Sequence, residues 1–278
     1  MLPLIEERLN HLIPEKESTL FQAARYSLLA PGKRLRPQMV LVSAKAFGAD
    51  IEAALDPACA IEMVHTYSLI HDDLPCMDDD DLRRGLPSLH KVFGEGMALL
   101  AGDYLLTYAF EVLARARFLS AEEKIELIQT LSGAAGAKGM IGGQAIDLAS
   151  EGKRIDEAAL KTMHIGKTAA LLTACLEFGA ILGKASLETR KLLREIGWDM
   201  GLAYQILDDI LDETGTTQEL GKKAGADAAK NKPNAVSLYG LQGARLQLQE
   251  LTAACFEKLS PFPIELQVFL QQLFQRKK

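Results

Sequence analysis

Apolar positions in this chain recur at helical spacing over nearly its whole length, and β-branched runs with strict period-two alternation are missing. Ala, Leu, Glu, Lys and Gln dominate and prolines are few, a composition that favours helix. Turn chemistry interrupts the pattern at Ala30-Pro31-Gly32, Gly48-Ala49-Asp50, Arg84-Gly85-Leu86-Pro87, Ser150-Glu151-Gly152 and Gly215-Thr216-Thr217. Between these breaks the spacing predicts helices over roughly 52–73, 89–116, 121–149, 156–182 and 188–213. Gly133, Gly136, Gly139, Gly142 and Gly143 fall inside them. Each costs about 1 kcal/mol against Ala, so they imply close helix packing or a neighbouring ligand. No linker, low-complexity tract or charge run divides the chain. The expected fold is all-α, one domain over 1–278, a single large helical bundle around a deep central cavity.

Composition narrows the class. At 278 residues, 48% hydrophobic and 24% charged, the chain can bury a large core. A net charge of -6 argues against general nucleic-acid binding, which needs a basic surface. Nothing approaches the ~18 consecutive apolar residues of a membrane span, and Met1 to Pro14 lacks a basic-then-apolar signal pattern. The four cysteines, Cys59, Cys76, Cys175 and Cys255, form no CxxC pair and read as thiols of a reducing compartment. A soluble cytoplasmic enzyme is expected.

Two aspartate clusters decide the chemistry: Asp72-Asp73-Leu74-Pro75-Cys76-Met77-Asp78 and Asp208-Asp209-Ile210-Leu211-Asp212. Carboxylates this crowded repel one another unless they face water or neutralise a cation. Their hard oxygens suit Mg²⁺, whose coordination is usually completed by waters and substrate phosphates. Gln205, Asp208, Asp209 and Asp212 follow i, i+3, i+4, i+7 on one helical face, and His65, Ser68, Leu69 and Asp72 repeat that spacing. A weak internal echo, Leu69 to Leu74 against Gln205 to Ile210, suggests two similar helix ends facing each other across the cavity.

Basic residues complete the pattern. Gly32-Lys33-Arg34-Leu35-Arg36-Pro37 sets three cations after a Pro-Gly break, where a helix N-terminus can add N–H donors to phosphate. Arg83-Arg84 follows the first acidic cluster, and Lys167-Thr168, Lys222 and Lys232 lie in the second half. Arg forks and Lys point charges are the usual protein donors to phosphate oxygens. Such a protein can hold two diphosphates, one through metal and one directly. Gly166-Lys167-Thr168 is no P-loop, because Lys161 stands where that motif needs Gly. The histidines show no metal-ligand spacing, and His11, His90 and His164 read as surface or satisfied helix residues.

The stretch from Glu62 through Asp72, Asp73 and Asp78 to Arg83-Arg84-Gly85 resembles the first aspartate-rich motif of the trans-polyprenyl diphosphate synthases. The two extra residues inside DDxxxxD resemble the bacterial farnesyl diphosphate synthase subgroup. Gly32 to Pro37, Gly142 to Asp147, Lys167-Thr168, Gln205 to Asp212 and Leu220-Gly221-Lys222 match further blocks in order, over nearly the whole chain. One departure is that Lys232 is followed by Pro233-Asn234-Ala235-Val236, where such enzymes often read Lys-Ser/Thr-Tyr-Pro.

The resemblance implies the isoprenoid synthase fold and head-to-tail condensation of isopentenyl diphosphate with an allylic diphosphate, dimethylallyl or geranyl. It implies three Mg²⁺ ions held by Asp72 and Asp78 on one side and Asp208 on the other. Asp73, Asp209 and Asp212 would be further ligands or supports. Arg83, Lys167 and Lys222 would add charge to the departing diphosphate, with Lys232 as a further donor. Lys33, Arg36, His65 and Arg84 would hold isopentenyl diphosphate, while Thr168 and Gln205 present dipoles to the cation. A homodimer is usual in the family. Ser68, about one turn before Asp72, is too small to stop a growing chain, whereas Tyr67 beside it fits a chain that stops at fifteen carbons, with twenty carbons as the alternative. A class I terpene cyclase shares the fold but needs no second diphosphate site.

Overall fold

The structure is a computed structural model describing residues 1–14, 18–214 and 233–274. Helices α1 (Leu2–Leu12), α2 (Thr19–Leu28), α3 (Leu35–Ala46) and α4 (Ile51–Asp72) open the chain. A two-stranded antiparallel hairpin follows, β1 (Leu82–Arg83) and β2 (Leu86–Pro87). Then come α5 (Leu89–Phe93), α6 (Glu95–Arg115), α7 (Ala121–Ala135), α8 (Met140–Ser150) and α9 (Glu157–His164). A single π turn, Ile165–Ala169, joins α9 to α10 (Ala170–Leu182), and α11 (Leu187–Thr214), α12 (Ala235–Leu259) and α13 (Ile264–Phe274) complete the described residues.

Short polar side chains start the helices where the sequence places them. Asp50 accepts from the Glu52 N–H at 3.1 Å, and Asp156 accepts from the Ala159 N–H at 2.8 Å. Ser120 and Glu123 form a reciprocal capping box on α7, which satisfies donors that a helix start leaves unpaired. Helix α4 sits at the centre, packed on α3, α6 and α10, and is buried on nearly every side from Ala54 to Ile70. The apolar run of α10 from Leu171 to Leu182 is almost wholly enclosed. Each buried Leu or Phe there contributes about 1.5–3 kcal/mol of transfer free energy.

The all-α expectation holds apart from the hairpin, whose strands are too short to leave a period in the sequence. Two helices expected as continuous are divided. Gly94, at φ 80°, separates α5 from α6, and Gly136 to Gly139 separate α7 from α8. The run-length reading also passed over two helical stretches, Glu95–Arg115 and Glu157–Leu182, that are long and apolar enough to cross a membrane by length and composition. Most of the second is buried inside the bundle.

Candidate active site

Asp72 is the last residue of α4, and the helix delivers four expected neighbours together. His65, Ser68, Leu69 and Asp72 all line one cavity of about 500 Å³. Tyr67 lines it too, with Met140, Gln144 and Leu148 of α8, Leu99 of α6, and Lys167 and Thr168 of the π turn. The DDxxxxD spacing acts through the loop that follows. The Met77 and Asp79 N–H groups donate to the Leu74 carbonyl at 2.9 and 3.1 Å, which folds the loop back. The Asp78 N–H then donates to the Asp72 carbonyl at 2.8 Å, so the ends of the motif meet.

Asp72 and Asp73 diverge. Asp72 faces the cavity and accepts from the Gln144 amide. Asp73 is buried against the Arg83 guanidinium, with Nε at 2.9 Å from Oδ1, and Arg83 also reaches Asp80 at 3.0 Å. Burial holds the Asp73 carboxyl above its usual range although Arg83 pulls it down. Arg83 and Arg84 diverge as well, and the hairpin turn is the cause. Arg84 and Gly85 take φ of 53° and 77° between the paired residues Arg83 and Leu86, the positive-φ pair of a type I′ turn. Arg83 therefore returns to Asp73, while Arg84 reaches the buried Glu62 at 3.3 Å.

Arg84 opens onto a second cavity of about 580 Å³, lined by Lys33, Arg34, Arg36, Glu62, His65, Arg84, Tyr204, Phe269 and Gln272. All four residues expected to hold a diphosphate without metal, Lys33, Arg36, His65 and Arg84, are in its wall. Arg34 has a structural role. In the left-handed conformation at the start of α3, it is buried and donates to Glu6 at 2.8 Å, Glu62 at 3.0 Å and the Ala30 carbonyl at 2.9 Å. By contrast Nε of Arg36 and Nη1 of Arg84 are buried with no hydrogen-bond partner, donors that a phosphate oxygen would satisfy. Burial, with repulsion from Arg34 and Arg36, lowers the Arg84 pKa against the pull of Glu62. His65 is held well below its ordinary pKa by burial and then by Arg36. It is therefore neutral, and its Nε2 accepts from Arg36 at 3.2 Å. Arg36 and His65 line both cavities, so the two spaces adjoin there.

The second aspartate cluster lies in the last two turns of α11. Thr168 donates to Gln205 at 2.7 Å, and the Gln205 amide donates to Asp209 at 3.0 Å. Asp209 also accepts from the Ala235 N–H at 2.8 Å, which ties the start of α12 to α11. Asp209 and Asp212 are buried, and Asp208 is half-buried. Lys167 donates to Asp147 at 2.5 Å. Gly143 permits that contact, because a Cβ there would lie 2.1 Å from the Lys167 backbone nitrogen. Lys222 and Lys232 lie outside the described residues.

Asp72, Asp208, Asp209 and Asp212 all sit in the final turns of helices, where the macrodipole disfavours negative charge. A cation offsets that cost. No three His, Cys, Asp or Glu side chains converge into a complete metal site among the described residues. Mg²⁺ takes one or two carboxylates and fills its shell with water and phosphate.

A family model for polyprenyl synthetases matches residues 17–260. The chain is 46% identical to a farnesyl diphosphate synthase of Bacillus subtilis over 83% of this chain and 78% of that enzyme. It is 43% identical to geranylgeranyl pyrophosphate synthase 7 of Arabidopsis thaliana, over 93% of this chain and 76% of that protein. In structure it resembles a Helicobacter pylori geranyltransferase solved with magnesium and isoprenyl diphosphate. The TM-score is 0.90 and the identity 37%, covering 99% and 94% of the two chains. The chain belongs to the polyprenyl synthetase family.

Within this polyprenyl synthetase several site residues escaped sequence reasoning. Gln144 and Asp147 stand at i and i+3 on α8 inside a quoted block, yet nothing in the spacing names Asp72 and Lys167 as their partners. Glu62 is an acidic residue buried in the basic wall. Tyr204, Phe269 and Gln272 arrive from α11 and α13, and no local motif announces them. His164, read as a satisfied helix residue, is buried 3.7 Å from Asp209, and burial lowers its pKa to about 4. His11 is exposed and bonded to the Glu7 carbonyl, whereas His90 is buried with neither ring nitrogen partnered.

Proposed function

We propose that this enzyme condenses isopentenyl diphosphate head-to-tail with dimethylallyl or geranyl diphosphate and releases farnesyl diphosphate. One observation carries the reading. An apolar cavity bearing Asp72 adjoins a cationic cavity bearing Lys33, Arg36 and Arg84, and Arg36 and His65 form the shared wall. An allylic diphosphate in the first and isopentenyl diphosphate in the second would bring their reacting carbons together.

The allylic C–O bond breaks, leaving diphosphate and an allylic cation. The double bond of isopentenyl diphosphate attacks that cation to form the new C–C bond, and a proton then leaves, with the departed diphosphate as its acceptor. Asp72, Asp78 and Asp208 would hold magnesium, with Asp73, Asp209 and Asp212 as further ligands or supports. Bound magnesium, three ions in this reading, supplies positive charge to the leaving diphosphate. Lys167 sits in the cavity wall to reinforce that charge, with Lys222 and Lys232 assigned the same task. Arg83 acts from behind Asp73. Thr168 and Gln205, already linked, fix neutral dipoles beside the cation. Lys33, Arg36 and Arg84 bind isopentenyl diphosphate directly, and neutral His65 orients Arg36.

Relatives named for fifteen- and twenty-carbon products match about equally well, so product length rests on Tyr67, whose ring lines the cavity below Asp72. A homodimer working in the cytoplasm belongs to the same reading. The half-exposed Leu99, Ile141 and Leu148 on the cavity rim are what a second copy would cover. The test supplies geranyl diphosphate and magnesium with and without isopentenyl diphosphate. Farnesyl diphosphate only when both are present supports the assignment. A cyclic hydrocarbon from geranyl diphosphate alone would replace it with a terpene cyclase.

A further inference from the structure

The apolar cavity has a polar seam in its wall. The Tyr67 ring meets the His71 ring edge to face, with centroids 5.7 Å apart and planes at 79°. His71 is fixed from its other side, where Nε2 lies 3.0 Å from the Leu99 carbonyl of α6. A carbonyl only accepts, so Nε2 carries the proton of that bond. The imidazole occupies this place because residue 102 has no side chain. A Cβ built on Gly102 would fall 2.1 Å from His71 Nε2 and 2.4 Å from its Cδ2, far inside van der Waals contact. Gly102 lies mid-helix in α6, where Gly costs about 1 kcal/mol against Ala. The seat it provides for the imidazole accounts for its presence there. Tyr67 is buried and its hydroxyl has no hydrogen-bond partner. No hydrogen bond directs the ring, and His71 is the aromatic ring it packs against. Both rings line the cavity that holds the proposed allylic chain.

We infer that His71, seated by Gly102, is a specificity-determining positioning residue that fixes the Tyr67 ring and thereby the length at which the prenyl chain stops. The inference rests on the chain-elongation reading. It adds two residues that touch neither diphosphate and lie on different helices.

Product distributions from geranyl and isopentenyl diphosphates would be measured for the full-length enzyme and for His71→Ala, Gly102→Ala and the double variant, with helical content and melting temperature alongside. Gly102→Ala forces the imidazole off Leu99 and into the cavity. It should shift the ratio of unextended ten-carbon substrate to fifteen-carbon product by about tenfold, because a methyl added in packed space forces its neighbours to move. His71→Ala removes the support of Tyr67 and should let twenty-carbon product appear, with the KM for isopentenyl diphosphate within about twofold of the parent. With the ring gone, the added methyl meets nothing, so the double variant should match His71→Ala. Should Gly102→Ala fail to fold, recovery of folding in the double variant would support the contact. An unchanged product spectrum in folded His71→Ala would overturn the inference, as would an equal effect of Gly102→Ala with and without His71. If the parent enzyme elongates nothing, the chain-elongation reading itself fails, an outcome distinct from either.

Discussion

In the proposed reaction the two cavities solve the same problem, holding a diphosphate, with opposite equipment. In the basic cavity the donors are built in. Arg36 and Arg84 each keep a buried N–H without a partner, and Glu62 offsets only part of the charge of Arg34 and Arg84. In the apolar cavity, away from the wall that Arg36 shares, the polar groups include a carboxylate and side chains already engaged. Asp72 is bound by Gln144, and Lys167 is bound to Asp147. The first space can take an anion as it stands, whereas the second needs a cation first. The difference suits the division of labour in the proposed reaction. The diphosphate that must leave is gripped through a metal that strengthens with developing charge, and the one that stays is gripped by fixed forks.

The sharpest way to break this contrast is to strip each side in turn. Asp72→Ala or Asp208→Ala should lower kcat by at least about 10³-fold, since a lost hard ligand removes several kcal/mol of charge stabilisation. Circular dichroism should stay unchanged, because neither side chain is a core contact. Chelating magnesium should likewise stop turnover and leave isopentenyl diphosphate binding, followed by calorimetry, within about threefold. If chelation abolishes binding to both cavities, the two-mode picture is wrong.

On the basic side, Arg36→Ala or Lys33→Ala should raise the KM for isopentenyl diphosphate roughly 10- to 100-fold, with a much smaller change in kcat. Matching kinetic profiles for the aspartate and arginine variants would erase the assignment of separate roles. A smaller and more specific effect is expected from the apolar cavity below Asp72. Tyr67→Ala should move the main product from fifteen to twenty carbons or more, read by chromatography, while the magnesium dependence stays put. A fifteen-carbon product from that variant would place the floor elsewhere.

How far the sequence carried the site depends on how local each signal is. The cavity face of α4 was legible because His65, Ser68, Leu69 and Asp72 obey one helical period, and all four line the cavity. The starts of α4 and α7, at Ile51 and Ala121, fall within one residue of the expected 52 and 121, where Asp50 and Ser120 cap them. The divergence of Arg83 from Arg84 was not legible, because it depends on a two-residue turn whose strands leave no period. Lys167 and Thr168 were named from the sequence and both line the cavity, but the π turn that carries them, with its shifted register, was not foreseen. Phe269 and Gln272 join the basic cavity only through packing of α13, a contact no motif encodes. The structural role of Arg34 was hidden for a similar reason. Its neighbours Lys33 and Arg36 have the same charge, and only burial between Glu6 and Glu62 sets it apart.

The smallest expected effect concerns the shared wall, through the pH dependence of folding. His65 is neutral in the folded protein because burial and Arg36 lower its pKa well below 6.5. His164, behind the second aspartate cluster, is lowered to about 4, chiefly by burial. In the unfolded chain both imidazoles take up a proton as pH falls through about 6.5. The unfolded state then binds more protons than the folded one, so stability is full above that pH and declines below it. For His164 the decline ends near pH 4, where the folded state also protonates. Each imidazole steepens the acid limb by up to about 1.4 kcal/mol per pH unit. Urea unfolding at a series of pH values from 7.5 down to 5 measures that slope, and His65→Gln should remove one imidazole's share of it. His164, on the metal side of the comparison, contributes its own share, and His164→Gln should lower the slope again. If His65→Gln leaves the acid limb as steep as before, His65 is not held neutral in the fold. Arg36 would then face a cation, and the hydrogen bond that orients it toward isopentenyl diphosphate would be lost.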